Sequence, residues 1–172
     1  MKPLFFYIFL TAFFFISVSY KPLADKDTYI IWVDKSEAQL KVTEGEECLV
    51  TYPIVLGNQD LGDKMMQGDK KTPEGSFRIA TKYKHAKWHR FMLLDYPTKE
   101  DIQKFKERKE QGLIPSNAKI GGGIGIHGTW PHEDYAIDRR IQWTEGCVAT
   151  KNQYIQKLFE VIPVGTEVII QQ

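Results

Sequence analysis

The sequence predicts a single, mainly β domain with two helices. Short runs of branched and aromatic residues alternate with polar ones, and Gly, Asp and Pro clusters separate them, as strands and turns require. Helical spacing of apolar residues occurs in two stretches, one following Pro97 and one following Cys147. Setting aside an apolar N-terminal segment leaves about 150 residues, enough for one domain with its own core.

The chain opens with Met1-Lys2 and an almost unbroken apolar run from Pro3 to Val18. One positive charge followed by about 16 apolar residues matches a secretory signal sequence and falls short of the roughly 20 needed to span a bilayer. Ser17 and Ser19 are small residues at signal-peptidase spacing, which would start the mature chain near Tyr20. The Ala-x-Ala form is absent, so residues 1–19 read as a signal peptide or as an N-terminal anchor holding the protein at the membrane. Either reading exports the protein to the periplasm or cell envelope. The folded domain is expected over 29–171.

Within it, Tyr29–Val33 is rich in β-formers and ends in the turn cluster Asp34-Lys35-Ser36. Gln39–Thr43 alternates polar with apolar and closes at Glu44-Gly45, and Cys48–Val55 is a third run ending before Gly57-Asn58. These three predict an antiparallel meander. Leu61–Glu74 reads as a structured loop, and Pro73-Glu74-Gly75 as a turn into the next strand. Phe91–Tyr96 predicts a strand stopped by Pro97. Lys99 to about Gln111 predicts an exposed helix with a narrow stripe of Ile102 and Phe105, ended by Gly112. After Cys147, Asn152 is placed as the cap of a helix with core-facing Ile155, Leu158, Phe159 and Ile162. Pro163 stops that helix, and Glu167–Ile170 is the last strand.

Lys and Arg total 23 against 22 Asp and Glu, so no overall field would draw in nucleic acid. The run Lys82–Arg90 does interleave basic and aromatic residues. It reads as a solvated loop or edge-strand face, with a groove for an anionic polymer as the other reading.

Two residues stand out chemically. His127 lies in Ile124-Gly125-Ile126-His127-Gly128-Thr129, where alternating glycine suits a buried strand closely approached by other backbone. Cys147 follows Gly146, which predicts a thiol on a tight turn near a helix N-terminus, where the thiolate is favoured. A Cys with a distant His is the arrangement for covalent acyl transfer, and also a pattern that structural residues produce. A Cys48–Cys147 disulfide is the competing reading in an oxidising compartment. The four histidines show neither His-x-x-x-His on a helix nor Cys-x-x-Cys spacing, so no metal and no cofactor is expected; His85 and His89 fall in strand and loop.

Three blocks, in order, resemble a YkuD-type L,D-transpeptidase catalytic domain. They are Gly62-Asp63-Lys64 through Gly68-Asp69-Lys70-Lys71-Thr72-Pro73-Glu74-Gly75, then Ile126-His127-Gly128-Thr129, then Thr144-Glu145-Gly146-Cys147 with Asn152 and the closing Val164–Val168. The Trp88–Pro97 segment is similar to a sub-branch with a longer insert before the histidine strand. The resemblance covers about Tyr29 to Ile170. It implies an exported enzyme on a small β-sheet scaffold acting on peptidoglycan stem peptides. It further implies that Cys147 attacks the carbonyl between a diamino acid and the following D-alanine, with His127 as base and the Gly128 carbonyl orienting the imidazole. Backbone N–H groups at Gly146 and Cys147 would hold the oxyanion, and a side chain at 146 would crowd the incoming carbonyl. The thioester would pass to a second stem, to a lysine of an envelope protein, or to water.

Against the family pattern, Glu145 stands where His is frequent, Thr144 where Ser is usual, and Ala149 where Arg is frequent. Arg139 and Arg140 in the insert could supply the missing guanidinium or belong to a solvated loop. Thr144, Glu145, Arg139, Arg140 and Trp88 are the expected substrate contacts. Hydrolysis of the same stems, or an inactive wall-binding relative, are the alternatives to transpeptidation.

Overall fold

A computed structural model describes residues 29–172, so the signal or anchor expected at 1–19 lies outside the described residues. The predicted meander is present as β1 (Tyr29–Asp34), β2 (Gln39–Glu44) and β3 (Glu47–Pro53), each antiparallel to its neighbour. β1 and β2 bury alternate residues, Ile31 and Val33 on one, Leu40 and Val42 on the other, which is why a period of two was visible in the sequence.

β4 (Gly75–His85) is the strand that bends the sheet. Its first part, Gly75–Arg78, pairs with the C-terminal β8 (Glu167–Gln171), and its second part pairs with β5 (His89–Leu94) across a register shift between Ile79 and Thr81. β8 also lies parallel to β1, so the last strand joins the meander to the rest. Adding β6 (Gly125–His127) and β7 (Val148–Ala149) gives one eight-stranded sheet, ordered β3-β2-β1-β8-β4-β5-β6-β7. The basic run therefore occupies the β4–β5 hairpin, where Lys82–His85 pair with β5 alone because β8 reaches β4 only at Gly75–Arg78, so this part of β4 is a local sheet edge, as the edge-strand reading expected.

Among the described residues there are three helices, where the sequence predicted two. α1 (Lys99–Glu110) starts at a reciprocal cap: Thr98 Oγ1 accepts from the Asp101 amide at 3.3 Å, and Asp101 Oδ2 accepts from the Thr98 amide at 2.8 Å. Its expected apolar stripe does not face inward. Ile102 is exposed, and the buried side is polar, with Asp101 buried and Arg108 turned toward the loop before β4. The added helix, α2 (Tyr135–Asp138), is one turn inside the insert and buries only Ala136 and Ile137, too few residues to show a period. α3 (Asn152–Val161) behaves as its stripe predicts. Ile155, Leu158 and Ile162 are buried in the main core with Phe77, Met92, Ile126 and Val168, each such aliphatic side chain contributing about 1.5–3 kcal/mol. Lys151, not Asn152, precedes its first turn, and Lys82 Nζ closes its last turn by donating to the carbonyls of Phe159 and Ile162.

The loop before β4 is pinned from beneath by a buried lysine. Lys35 Nζ reaches Glu74 Oε1 at 2.7 Å and donates to the carbonyls of Gly62 and Thr72. Removing the α1 cap with Thr98→Ala should cost about 1 kcal/mol in urea denaturation at unchanged m-value, without altering Cys147 reactivity. A loss above about 3 kcal/mol would mean that α1 holds the loop through the cap itself, which this fold does not predict.

Candidate active site

β6 and β7 run parallel, with Ile126 opposite Val148 and His127 opposite Ala149. Extending that register by one residue sets Cys147 beside Gly125. His127 and Cys147 thus point to the same side of the sheet as diagonal neighbours on adjacent strands. The packing agrees: Ile126 and Val148 enter the main core, while Ala149 joins Val55 and Ile137 in a second cluster on the other side, against Trp143. Cys147 is not at a helix N-terminus as expected, because β7 and Thr150-Lys151 intervene before α3. Both Cys48 and Cys147 are free; Cys48 is exposed on β3 and Cys147 is half-buried, so the disulfide reading does not hold.

The imidazole is fixed on every side. Nδ1 lies 2.7 Å from the Gly128 carbonyl, which can only accept, so Nδ1 carries the proton and Nε2 presents its lone pair. Phe91 and Trp88 stack on the ring at 5.4 and 4.6 Å, and Trp143 meets it edge-on at 5.4 Å. Trp88 is in turn stacked on His85. So Trp88, expected as a substrate contact, is a wall of the histidine. His127 is 1 % exposed. Burial holds its pKa down at about 4, against a smaller opposing effect of the Gly128 bond. Burial likewise pushes the Cys147 thiol up to about 11, opposed by the Gly125 backbone and the Lys64 ammonium. At neutral pH the resting pair is therefore a thiol and a neutral imidazole. The thiol proton rests on the Gly123 carbonyl, 3.5 Å away.

The turn carrying Cys147 is shaped from within. Thr144 Oγ1 donates to the Cys147 carbonyl at 2.7 Å and accepts from the Gly146 amide at 3.2 Å, so this buried hydroxyl folds the turn and does not face a substrate. The Gly146 N–H expected to hold an oxyanion is thereby engaged. Gly146 has φ +121°, and a Cβ there would lie 2.6 Å from the Lys71 carbonyl. The glycine is required by the chain's own loop, not by room for an incoming carbonyl. Glu145 points outward, 72 % exposed, and pairs with Lys70 at 3.3 Å. Its charge therefore lies in solvent and not against the sulfur. Arg139 stacks on Tyr135, and Arg140 lines a separate cavity with Glu37, Gln39 and Pro53. Neither replaces the arginine absent at Ala149.

Sequence reading missed two groups of residues. Asn152 Oδ1 accepts from the Thr129 amide at 3.1 Å, its Nδ2 donates to Thr129 Oγ1 at 3.0 Å, and its backbone N–H donates to Asp134 Oδ1. That clamp ties α3 to the residues just after His127, and a Cβ on Gly128 would overlap Asn152 Oδ1. The second group is Lys64 with Asp69, a buried ion pair at 2.6 Å behind the cysteine turn. Beside the clamp, the basic run contributes Lys84, His85, His89 and Arg90 to a cavity of about 620 Å³. Among the described residues, no three His, Cys, Asp or Glu are grouped to hold a metal.

The burial of neutral His127 has a testable consequence. Its unfolded form takes a proton near pH 6.5 and its folded form only near 4. Between those values the unfolded chain binds more protons, so stability falls as pH drops through this window and is unaffected above it. Urea titrations should show His127→Gln lacking that part of the slope, a difference on the order of 3 kcal/mol by pH 4. Identical pH slopes would show that the ring is not buried neutral.

Comparison with known proteins agrees with this geometry. The family model for the YkuD L,D-transpeptidase catalytic domain matches residues 28–170. YqjB of Bacillus subtilis strain 168 is 27 % identical over 170 residues, covering 94 % of this chain and 84 % of that protein. Pgp2 of Campylobacter jejuni, described as a helical cell shape determining protein, superposes with a TM-score of 0.61 at 25 % identity, over 84 % of this chain and 48 % of Pgp2. Bd1075 of Bdellovibrio bacteriovorus gives 0.59 at 25 % identity over the same shares. An Enterococcus faecium L,D-transpeptidase, at 16 % identity and a TM-score of 0.54 over 84 % of this chain and 50 % of that one, shares the fold. This chain spans about half the length of these solved structures. It belongs to the YkuD family of L,D-transpeptidase catalytic domains.

Proposed function

We propose that this chain is an exported cysteine acyltransferase that acts on peptidoglycan stem peptides. The observation that supports it most is the pairing of β6 with β7, which sets a half-buried thiol and a tautomer-locked imidazole on one face. As substrate arrives, the Cys147 proton passes to His127 Nε2 and sulfur attacks the carbonyl that precedes the terminal D-amino acid. The C–S bond forms as the carbonyl π pair moves to oxygen. Collapse of that intermediate breaks the C–N bond, and the departing amine takes the proton held on the imidazole. An amine of a second stem, a lysine of an envelope protein, or water then resolves the thioester. With a neutral resting pair, charge separates only transiently, as sulfur attacks. The description of Pgp2 supports a role in wall remodelling that sets cell shape.

The test is mass spectrometry of muropeptides after incubating the protein with purified sacculi. Loss of D-alanine, with new cross-links, peptide–protein links or shortened stems, is the expected result, and the product class reports the acceptor. Cys147→Ser should reduce turnover to background with the fold retained, and His127→Gln should lower it by about 100- to 10,000-fold. Full turnover in Cys147→Ser would rule the mechanism out.

A further inference from the structure

Lys64 brings a positive charge into the protein interior directly behind the nucleophile's turn. Its side chain is 3 % exposed, and Nζ stands 3.4 Å from the position a Cβ on Gly146 would take. Buried charges persist only where partners hold them. Here Asp69 Oδ1 lies 2.6 Å from Nζ, and the Lys71 carbonyl accepts from it at 3.4 Å. Those two acceptors account for two of its three N–H groups.

A purely structural ion pair explains part of this arrangement. Asp69 collects the amides of Met65, Met66 and Lys71 at 2.7–3.0 Å and so folds the loop. Outside, Arg108 of α1 donates to the Lys64 carbonyl at 2.7 Å and to Asp63 at 2.6 Å. The loop is thus held by its backbone on both sides. Without Lys64, Asp69 would still keep its three amide donors. What those contacts leave unexplained is why an ammonium is aimed at Gly146.

We propose that Lys64 is a positioning residue for acyl transfer: held by Asp69 against Gly146, its ammonium supplies the positive field in which Cys147 releases its proton to His127. This rests on the acyl-transfer reading of the site. Cys147 is pushed up by burial, and Lys64 acts on it in the opposite direction. The buried position matters because solvent screens such a field little there. A lysine suits the task because its charge is compact.

The test separates electrostatics from folding by reading the thiol itself. In a Cys48→Ser background, alkylation of Cys147 by iodoacetamide is followed against pH by peptide mapping. Lys64→Met should move the pH midpoint up by about one unit and slow alkylation about tenfold at fixed pH below it, with the rate recovered at high pH. Lys64→Gln, which can still donate to Asp69, should move it the same way and serves if the methionine variant fails to fold. Lys64→Arg, which keeps the charge but spreads it over a larger planar group, should move the midpoint less than Lys64→Met does. An unmoved midpoint in Lys64→Gln or Lys64→Met, or a rate lowered equally at every pH, would overturn the proposal. Because alkylation needs no wall substrate, these outcomes are independent of whether sacculi are processed.

Discussion

Parallel pairing of Gly125–His127 with Val148–Ala149 places one imidazole and one thiol on the same face, and much of the molecule holds that ladder in register. It is short, three residues against two, and could not hold itself. β5 flanks β6 on its other side, with Phe91 opposite His127, so an internal strand of the sheet fixes the position of the histidine. An isolated antiparallel bridge from Val55 to Ala149 fixes the cysteine strand from the meander side. α3 then closes over both, through Ile155 in the core and Asn152 at the surface.

Burial sets the chemistry of the pair. Desolvation disfavours both the thiolate and the imidazolium, and in this structure it outweighs the bonds that oppose it. The aromatic wall of Phe91, Trp88 and Trp143 gives the imidazole no charge partner, so neutrality is its resting state. In the proposed reaction the ion pair exists only transiently, and fixed groups near the turn decide how easily it forms. A turn closed by Thr144, with glycine forced at 146 by the Lys71 carbonyl, keeps the sulfur in one place while that happens.

Much of this was legible in the residues because it is local. The first two strands of the meander bury alternate positions, and Ile155, Leu158 and Ile162 recur on one helical face, so simple periods found them. His127 and Cys147 were visible as unusual residues among glycines. The rest depends on contacts between distant positions. Asn152 resembles a helix cap in sequence, yet its side chain serves Thr129, 23 residues away. Lys64 looks like one more loop lysine until Asp69 and the cysteine turn enclose it. Glu145 sits two residues from the nucleophile and turns to Lys70 instead. Nothing local shows that the β4–β5 hairpin brings Trp88, expected as a substrate contact, over the histidine ring.

In the proposed reaction, sulfur at position 147 carries the acyl group between donor and acceptor. The most direct test of this step is an acid-quenched reaction with a disaccharide tetrapeptide, digested and mapped by mass spectrometry within the first turnover. An adduct on Cys147 equal in mass to the substrate less D-alanine is expected, absent when the cysteine is first alkylated. Product formation with no such adduct, or with the acyl group on another residue, would contradict it.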